Sequence, residues 1–313
     1  HMMNKIKKPE NALKWINKAL KNKDVVMGFG HRVYKRGDSR VPTMEKYFKA
    51  KLRLFNTLSI KSTAIVNTSN SYGERIKKGS NAPVLSFSIN GHSSINYDNL
   101  KVSTYGIQGT IRAREQNYLI HSSLIGKFNS ENILAAVSVG YSLGEKINNI
   151  ENGIKECLPI PGRMESFITK IGAHVILDYA HTPDSYLQVL KTLHDIVNDT
   201  GELFVVFGAG GDRDKTKRLK MAQIVEKYAK HCFITPDNPR NENPQSIIED
   251  ILKGFEKHVY TVFKERELGL RKAIEQANAN DVIAVLGKGR EEYQEINDKK
   301  EFYSDFQIIN EYI

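Results

Sequence analysis

Cysteine is nearly absent: Cys157 and Cys232 are the only two among 313 residues. They stand far apart and without metal-ligand spacing, which argues against a disulfide framework or a thiolate zinc site. Both are expected to be buried thiols. No apolar run approaches the roughly 18 residues that a membrane span needs. The basic N-terminus leads into an amphipathic segment rather than an apolar signal core, so the cytoplasm is the expected compartment and no membrane partner is expected. Internal repeats and low-complexity linkers are also missing. So is the G-x-x-x-x-G-K-[ST] phosphate loop, since "GERIKKGS" has the wrong spacing and "GAGGDRDK" the wrong order.

What the chain does have is surplus positive charge. Lys and Arg number 46 against 36 Asp and Glu, a net +10. That suits nucleic acid, an anionic surface, or phosphorylated and carboxylated small molecules. Much of the excess lies in "NKIKKPENALKWINKALKNK" and "KAKLRLF", scattered along helical faces with few interleaved aromatics. This is the pattern of a solvated face, and no nucleic-acid partner is expected. With 40% hydrophobic residues, the chain is long enough for two buried cores. His1 and Met2 read as an expression scar ahead of Met3.

Pro9 to about Asn22 has helical apolar spacing, and a second amphipathic helix follows Pro42, with Met44, Tyr47, Phe48, Leu52 and Phe55 on one face. From Ser62 the texture is strand-like: "STAIVN", "PVLSFSI", "KVSTYGIQGTIRA" and "NYLIHSSL". A helix follows in "NSENILAAVSVGYSLG", with Asn129 or Ser130 suited to cap it and Gly144 to stop it. Beyond about residue 150, short apolar strands alternate with amphipathic helices, the signature of a doubly wound parallel sheet. Ligands of such sheets bind beyond the carboxyl ends of the strands. The unusual loops fall there: "DYAHTPD", "GAGGDRDKTKR", "PDNPRNE" and "GKGREEYQ".

In "FGAGGDRDKTKR" glycines let the backbone approach a ligand, while Arg213, Lys215, Lys217 and Arg218 add cationic donors near a helix start. A structural turn is the alternative reading. "DNPR" places an amide and a guanidinium on a Pro-stiffened loop, suited to a carboxylate on Arg240, or else to an ordinary turn. Four such loops on one sheet edge suggest an enzyme for a zwitterionic or multiply anionic small molecule.

"GKFNSENILAA", "PGRMESF", "VILDYAHTPDSY", "FGAGGDRDKTKR", "DNPRNENP" and "VLGKGREEYQ", in this order, resemble the Mur ligase family from about residue 44 onward. Within it they are similar to the branch that adds the third peptide residue of peptidoglycan, and "DNPR" resembles the members that use meso-diaminopimelate. The resemblance implies an α/β chain: a truncated central domain with a mixed sheet over residues 44–150, then a doubly wound, Rossmann-like C-terminal domain over 151–313. It places Asn129 and Asn132 at adenine, Arg163 and Asp178 near ribose and phosphates, and Arg213, Asn238, Arg240, Gly287 and Glu291 around the diamino acid. Lys51 falls on the family's carbamylated lysine, which assists magnesium. The family's "GKGHE" is "GKGRE" here, so Arg290 is expected to add a charge beside the pocket.

Residues 1–43 form a fragment that resembles the citrate synthase family, closest to 2-methylcitrate synthase, in "MGFGHRVYKRGDSRVPTMEKYF", whose last residues, "TMEKYF", both families can claim, so a fusion within that stretch is expected. There His31 would match an oxaloacetate-binding histidine and Arg40 a carboxylate-binding arginine. The other acid and base of that reaction are missing, so no condensing activity is expected. On the ligase side, ATP and magnesium are the family's cofactors, yet without the phosphate loop their binding is expected to be weak or absent. Two readings stay open: a ligase for UDP-MurNAc-L-Ala-D-Glu and meso-diaminopimelate that is truncated and inactive alone, and a non-catalytic module binding meso-diaminopimelate or nucleotide. A homodimer through an open edge or apolar face of the truncated central sheet is expected.

Overall fold

The computed structural model describes residues 40–197 and 201–313, and these form two compact units, one ending at Phe87 and one beginning at Ser88. The first predicted helix, Pro9 to Asn22, lies outside the described residues, as does His31.

In the first unit, α1 (Arg40–Thr57) is followed by β1 (Ala64–Asn67), α2 (Ser71–Gly79) and β2 (Val84–Phe87). The two strands pair in parallel. Ala64, Val66 and Ala82 form a small core against Phe55, Leu58 and Ile76, and Phe55 belongs to the apolar stripe expected of α1. Arg75 of α2 lies 3.9 Å from the centroid of the buried Phe48 ring and meets both oxygens of Glu45 at 2.9 and 3.2 Å, joining the two helices. Asn70 caps α2 through the N–H groups of Tyr72 and Gly73. "GERIKKGS" is therefore mostly helix, not a phosphate loop.

The second unit opens with an antiparallel meander, β3 (Ile95–Ser103), β4 (Gly106–Ala113) and β5 (Gln116–Ser122). The run "KVSTYGIQGTIRA" is thus two strands, split by a turn at Thr104 and Tyr105. α3 (Lys127–Ser142) starts behind Gly126, without a side-chain cap, so neither Asn129 nor Ser130 acts as one. Gly144, with φ +72, follows its end as expected. α4 (Ile147–Glu156) then leads to Cys157, which is exposed; only Cys232 is the buried thiol expected of both.

The main sheet follows. Its strands are β6 (Glu165–Ile168), β7 (His174–Asp178), β8 (Leu203–Phe207), β9 (His231–Ile234), β10 (Tyr260–Val262) and β11 (Val282–Leu286), in the spatial order β10-β9-β8-β11-β7-β6. All neighbours are parallel except β6 against β7. β7, β8 and β11 are buried along their whole length, because helices cover both faces, which explains why they read as unbroken apolar runs. One face packs on α5 (Pro183–Val197), α6 (Thr216–Tyr228) and α7 (Pro244–Leu252). The other packs on α8 (Arg266–Gln276) and α9 (Asp305–Asn310). A polar hairpin, β12 (Tyr293–Ile296) and β13 (Lys299–Phe302), follows β11. The chain passes from β7 to β8 and returns late through β11, which enters between them. That reversal places the loops after β7, β8, β9 and β11 around one crevice.

The meander's first turn reaches this sheet. Thr104 Oγ1 lies 3.2 Å from His174 Nε2, and the Tyr105 ring stands edge-on to the imidazole, with centroids 4.7 Å apart. His174 is fully buried and its Nδ1 has no hydrogen-bond partner. Burial pushes its pKa down.

Candidate functional site

At the carboxyl ends of β7, β8, β9 and β11 lies a cavity of about 280 Å³. Its wall carries Tyr179 and His181 after β7, Gly208 to Gly210 with Arg213, Asp214, Lys217, Arg218 and Met221 after β8, Asp237, Asn238 and Arg240 after β9, and Gly287 and Glu291 after β11. All five residues expected around a diamino acid, Arg213, Asn238, Arg240, Gly287 and Glu291, therefore line one space.

Two loops are stitched together to form this wall. The N–H of Gly211 donates to Asn238 O at 2.9 Å, and Arg240 Nη1 donates to Gly211 O at 2.8 Å. Asp212 N–H donates to Glu242 Oε1 at 2.7 Å, and Asn241 Nδ2 to Asp212 Oδ2 at 3.0 Å. Beneath them Arg218, only 2% exposed, meets both Glu242 oxygens at 2.9 and 3.0 Å and Asp250 at 3.0 Å. Lys215 joins Glu242 from the surface at 3.0 Å. The sequence suggested that Lys215 and Arg218 are donors to a ligand anion, but their charges are already matched by carboxylates. Among the described residues Arg213 and Lys217 have no ion-pair partner and remain the cations available to a ligand from this loop.

The Arg218 hydrogen bonds, helped by Lys215 and the Asp212 N–H, hold the Glu242 carboxyl down from its ordinary 4.5 to about 2, against the effect of burial. A carboxyl depressed on folding stabilises the protein fully above its unfolded value, and that stability is lost as pH falls through the folded value. Glu242→Gln is expected to cost about 3 kcal/mol at neutral pH and to flatten the loss of stability between about pH 4.5 and 2. Urea melts of both proteins at pH 7 and pH 3 measure this; equal stability at pH 7 would refute the role of the pair.

Arg240 sits in the left-handed region, φ +51, a strained setting for a side chain of this size. Bonds on both sides hold it there: its N–H donates to Glu295 O, and Asn297 N–H donates to its carbonyl, each at 2.9 Å. Its Nε donates to Glu295 Oε2 at 2.9 Å, which leaves Nη2 for an incoming carboxylate. Asn238 and Glu291 are joined, Nδ2 to Oε2, at 3.0 Å. Gly287 has φ +112, and a Cβ there would stand 2.4 Å from Asp237 Oδ2, so glycine is required on both counts. Asp237 is buried, and its carbonyl accepts from Gln294 Nε2 at 2.6 Å. Burial and the neighbouring Glu291 carboxylate push the Tyr179 phenol up.

The floor is fixed from below. Arg266 is completely buried, as is its partner Asp305; they meet at 2.8 Å. The same guanidinium donates to Leu286 O at 3.0 Å and to Thr235 Oγ1 at 3.3 Å, the ends of the two strands that present Gly287 and Asp237. Tyr303 OH completes the cluster on Asp305 at 2.7 Å.

The other sequence-derived residues lie elsewhere. Asn129 and Asn132 are one turn apart on α3, with Asn132 Nδ2 donating to Asn129 Oδ1 at 3.1 Å and Asn129 Nδ2 to Ile125 O at 2.9 Å. Arg163 lies 5.2 Å from the Tyr179 ring centroid. Asp178 is buried, with its oxygens accepting the N–H groups of Met164 at 2.8 Å and Ala180 at 2.7 Å. Burial still raises its pKa. Lys51 is exposed on α1. Arg40 opens α1, and its side chain lies outside the described set.

Arg290 departs from its expectation. It does not line the cavity but meets Glu165 at 2.5 and 2.8 Å and stacks on Phe306, 3.3 Å from the ring centroid. Burial opposes ionisation of Glu165, but Arg290 and the Gly162 N–H outweigh it and hold that carboxyl below its ordinary range. The charge is thus neutralised within the protein rather than offered to the pocket. Tyr179, His181, Asp214, Met221 and Asp237 also line the cavity and were not among the residues expected there. For Tyr179 and Asp237, position beside a strand end was the available signal.

Among the described residues, no group of three or more His, Cys, Asp or Glu converges as a metal site. Nor, among them, is any helix long and apolar enough to cross a membrane.

Residues 38–140 match the family model of the Mur ligase middle domain, and residues 162–289 that of the Mur ligase glutamate ligase domain. A "UDP-N-acetylmuramoyl-L-alanyl-D-glutamate--2,6-diaminopimelate ligase" from Nostoc sp. is 41% identical over 267 residues, covering 84% of this chain and 53% of that protein. One from Clostridium acetobutylicum is 35% identical over 273 residues, covering 87% and 56%. The chain spans about half the length of the curated relatives it matches. A solved structure of a ligase with the same name superposes with a TM-score of 0.69 at 31% identity, over 86% of this chain and 56% of that one. A folylpolyglutamate synthase from Thermotoga maritima, at 17% identity and a TM-score of 0.59 over 79% of this chain and 55% of that one, shares the fold.

Proposed function

The chain belongs to the Mur ligase family through its middle and glutamate ligase domains, and on that premise we propose that the strand-end cavity holds meso-diaminopimelate, the amino acid that a ligase of peptidoglycan precursor synthesis adds. The observation that carries this reading is the pairing of opposite charges around one space: Arg213, Lys217 and Arg240 on one side of the balance, Asp214, Asp237 and Glu291 on the other. A zwitterion with two carboxylates matches that set. Arg240 receives a carboxylate through the guanidinium nitrogen left without a protein acceptor, and Glu291 accepts from an ammonium through its second oxygen. The names of the relatives point to the same amino acid.

Calorimetric titration with meso-diaminopimelate, with L-lysine and Arg240→Ala as controls, tests this. Saturable binding that prefers meso-diaminopimelate and weakens at least about tenfold in the variant is expected, the loss of one charge-assisted contact. Equal binding of both amino acids, or an unaffected Arg240→Ala, would sink the assignment.

The reading extends to nucleotide at Asn129, Asn132, Arg163 and Asp178, by family resemblance. ATP supplies phosphoryl transfer in the family, but no phosphate loop occurs within these 313 residues. Two readings follow, a ligase truncated and inactive alone, and a non-catalytic module that binds meso-diaminopimelate or nucleotide. An ADP-release assay with UDP-MurNAc-L-Ala-D-Glu and meso-diaminopimelate separates the two, and turnover would assign ligase activity to this chain. Residues 1–43, with His31 and Arg40, are read as citrate-synthase-like ancestry without activity.

A further inference from the structure

Lys288 follows the strand-end glycine, and its side chain is completely buried. Lysine rarely tolerates that without partners for its charge. Its ammonium meets Asn238 Oδ1 at 3.0 Å and Glu291 Oε2 at 3.2 Å, with the Tyr293 ring centroid at 5.6 Å. The two acceptors are themselves joined, since Asn238 Nδ2 donates to the same Glu291 oxygen at 3.0 Å. Lys288, Asn238 and Glu291 thus close a ring of hydrogen bonds in the cavity wall. The N–H of Glu295 adds a second donor to Asn238 Oδ1 at 3.0 Å. With the amide rotated half a turn, its NH₂ would face the ammonium and the Glu295 N–H, and its oxygen would face a carboxylate. Only one orientation is compatible with these neighbours.

Resting on the reading of the cavity as an amino-acid site, we propose that Lys288 is a positioning residue that sets which amino acid the cavity selects. It locks the Asn238 amide, and it offsets the charge of Glu291. A ligand's ammonium alone is then weakly attracted to the Glu291 side, and tight binding requires a second carboxylate to engage Arg240. Removing the Lys288 charge should weaken the orientation that favours a dicarboxylate ligand while leaving Glu291 a stronger lure for a simple cation.

Lys288→Met keeps length and apolar volume and removes the charge. Titration of this variant is expected to show affinity for meso-diaminopimelate reduced about tenfold or more, with affinity for L-lysine unchanged or higher. A merely structural role would weaken both ligands alike and leave their ratio untouched. A second measurement needs neither ligand nor variant: in the free wild-type protein, NMR should show slowly exchanging Asn238 side-chain NH₂ signals and a through-space contact to the Lys288 ammonium. An unchanged affinity ratio in folded Lys288→Met would overturn the selectivity role, and absence of the contact in the wild type would overturn the proposal even if the variant does not fold. A wild type that shows the contact but binds neither amino acid would instead overturn the amino-acid reading, and the selectivity role with it.

Discussion

Gly211→Ala is expected to abolish the tight binding of meso-diaminopimelate proposed for the strand-end cavity while leaving most of the fold intact. A Cβ at this position would stand 1.9 Å from Pro239 O, a backbone atom that cannot swing aside. The two loops would have to part, breaking the Gly211 N–H bond to Asn238 and the Arg240 bond to Gly211 O together. Overpacking of this severity costs about 3 kcal/mol, about a hundredfold in affinity if it falls on the liganded arrangement. Calorimetry on the variant, with circular dichroism to show that the sheet persists, gives the answer. Affinity within a factor of about three of wild type would mean that the stitched loops are not the binding surface.

The largest effect on stability is expected from Arg266→Met. It would leave Asp305 fully buried without its counter-charge and free Leu286 O and Thr235 Oγ1 of a donor. Breaking one side of a buried ion pair costs about 3–5 kcal/mol, a large share of the roughly 5–15 kcal/mol that holds a typical domain together. The pair as a whole contributes much less than this, because its desolvation offsets its attraction. The double variant Arg266→Met/Asp305→Leu is therefore expected to recover much of the loss, though Tyr303 would still lack its acceptor. Urea unfolding of both variants tests the pair. A single variant as stable as wild type, or a double variant no better than the single, would refute this account of the floor.

The sheet was legible because strands covered on both faces read as near-continuous apolar runs: "LFVVF" and "VIAVL" are apolar throughout, and "HVILD" is apolar between its polar ends His174 and Asp178. The loops after them concentrate Gly, Asn, Asp and Arg, so their meeting at one edge followed from the parallel topology, and the resemblance supplied roles for five of their residues. β13, "KKEF", escaped notice because it is exposed along its length and carries no apolar pattern. α4 escaped although Ile147, Ile150 and Ile154 stand at helical spacing, since it begins without a side-chain cap. Charge partners escaped for another reason. Nothing local tells that Arg290 faces Glu165, 125 positions earlier, or that Arg218 joins Glu242 rather than a ligand. Such pairings depend on which strand ends adjoin, and sequence spacing does not carry that information. Lys288 belongs to the same class, since its burial follows from the turn at Gly287 rather than from its own side-chain chemistry.

The late entry of β11 between β7 and β8 also governs how the chain can mature during synthesis. β7 and β8 leave the ribosome early, but each keeps an unpaired apolar edge until Val282–Leu286 has been translated and threads between them. Translation proceeds at about 5–20 residues per second, so those edges stay open for seconds, during which pairing with another nascent chain competes with waiting. A message cut short before Val282 would leave two separate pieces, β10-β9-β8 and β7-β6, each ending in an apolar border with nothing to join it to the other.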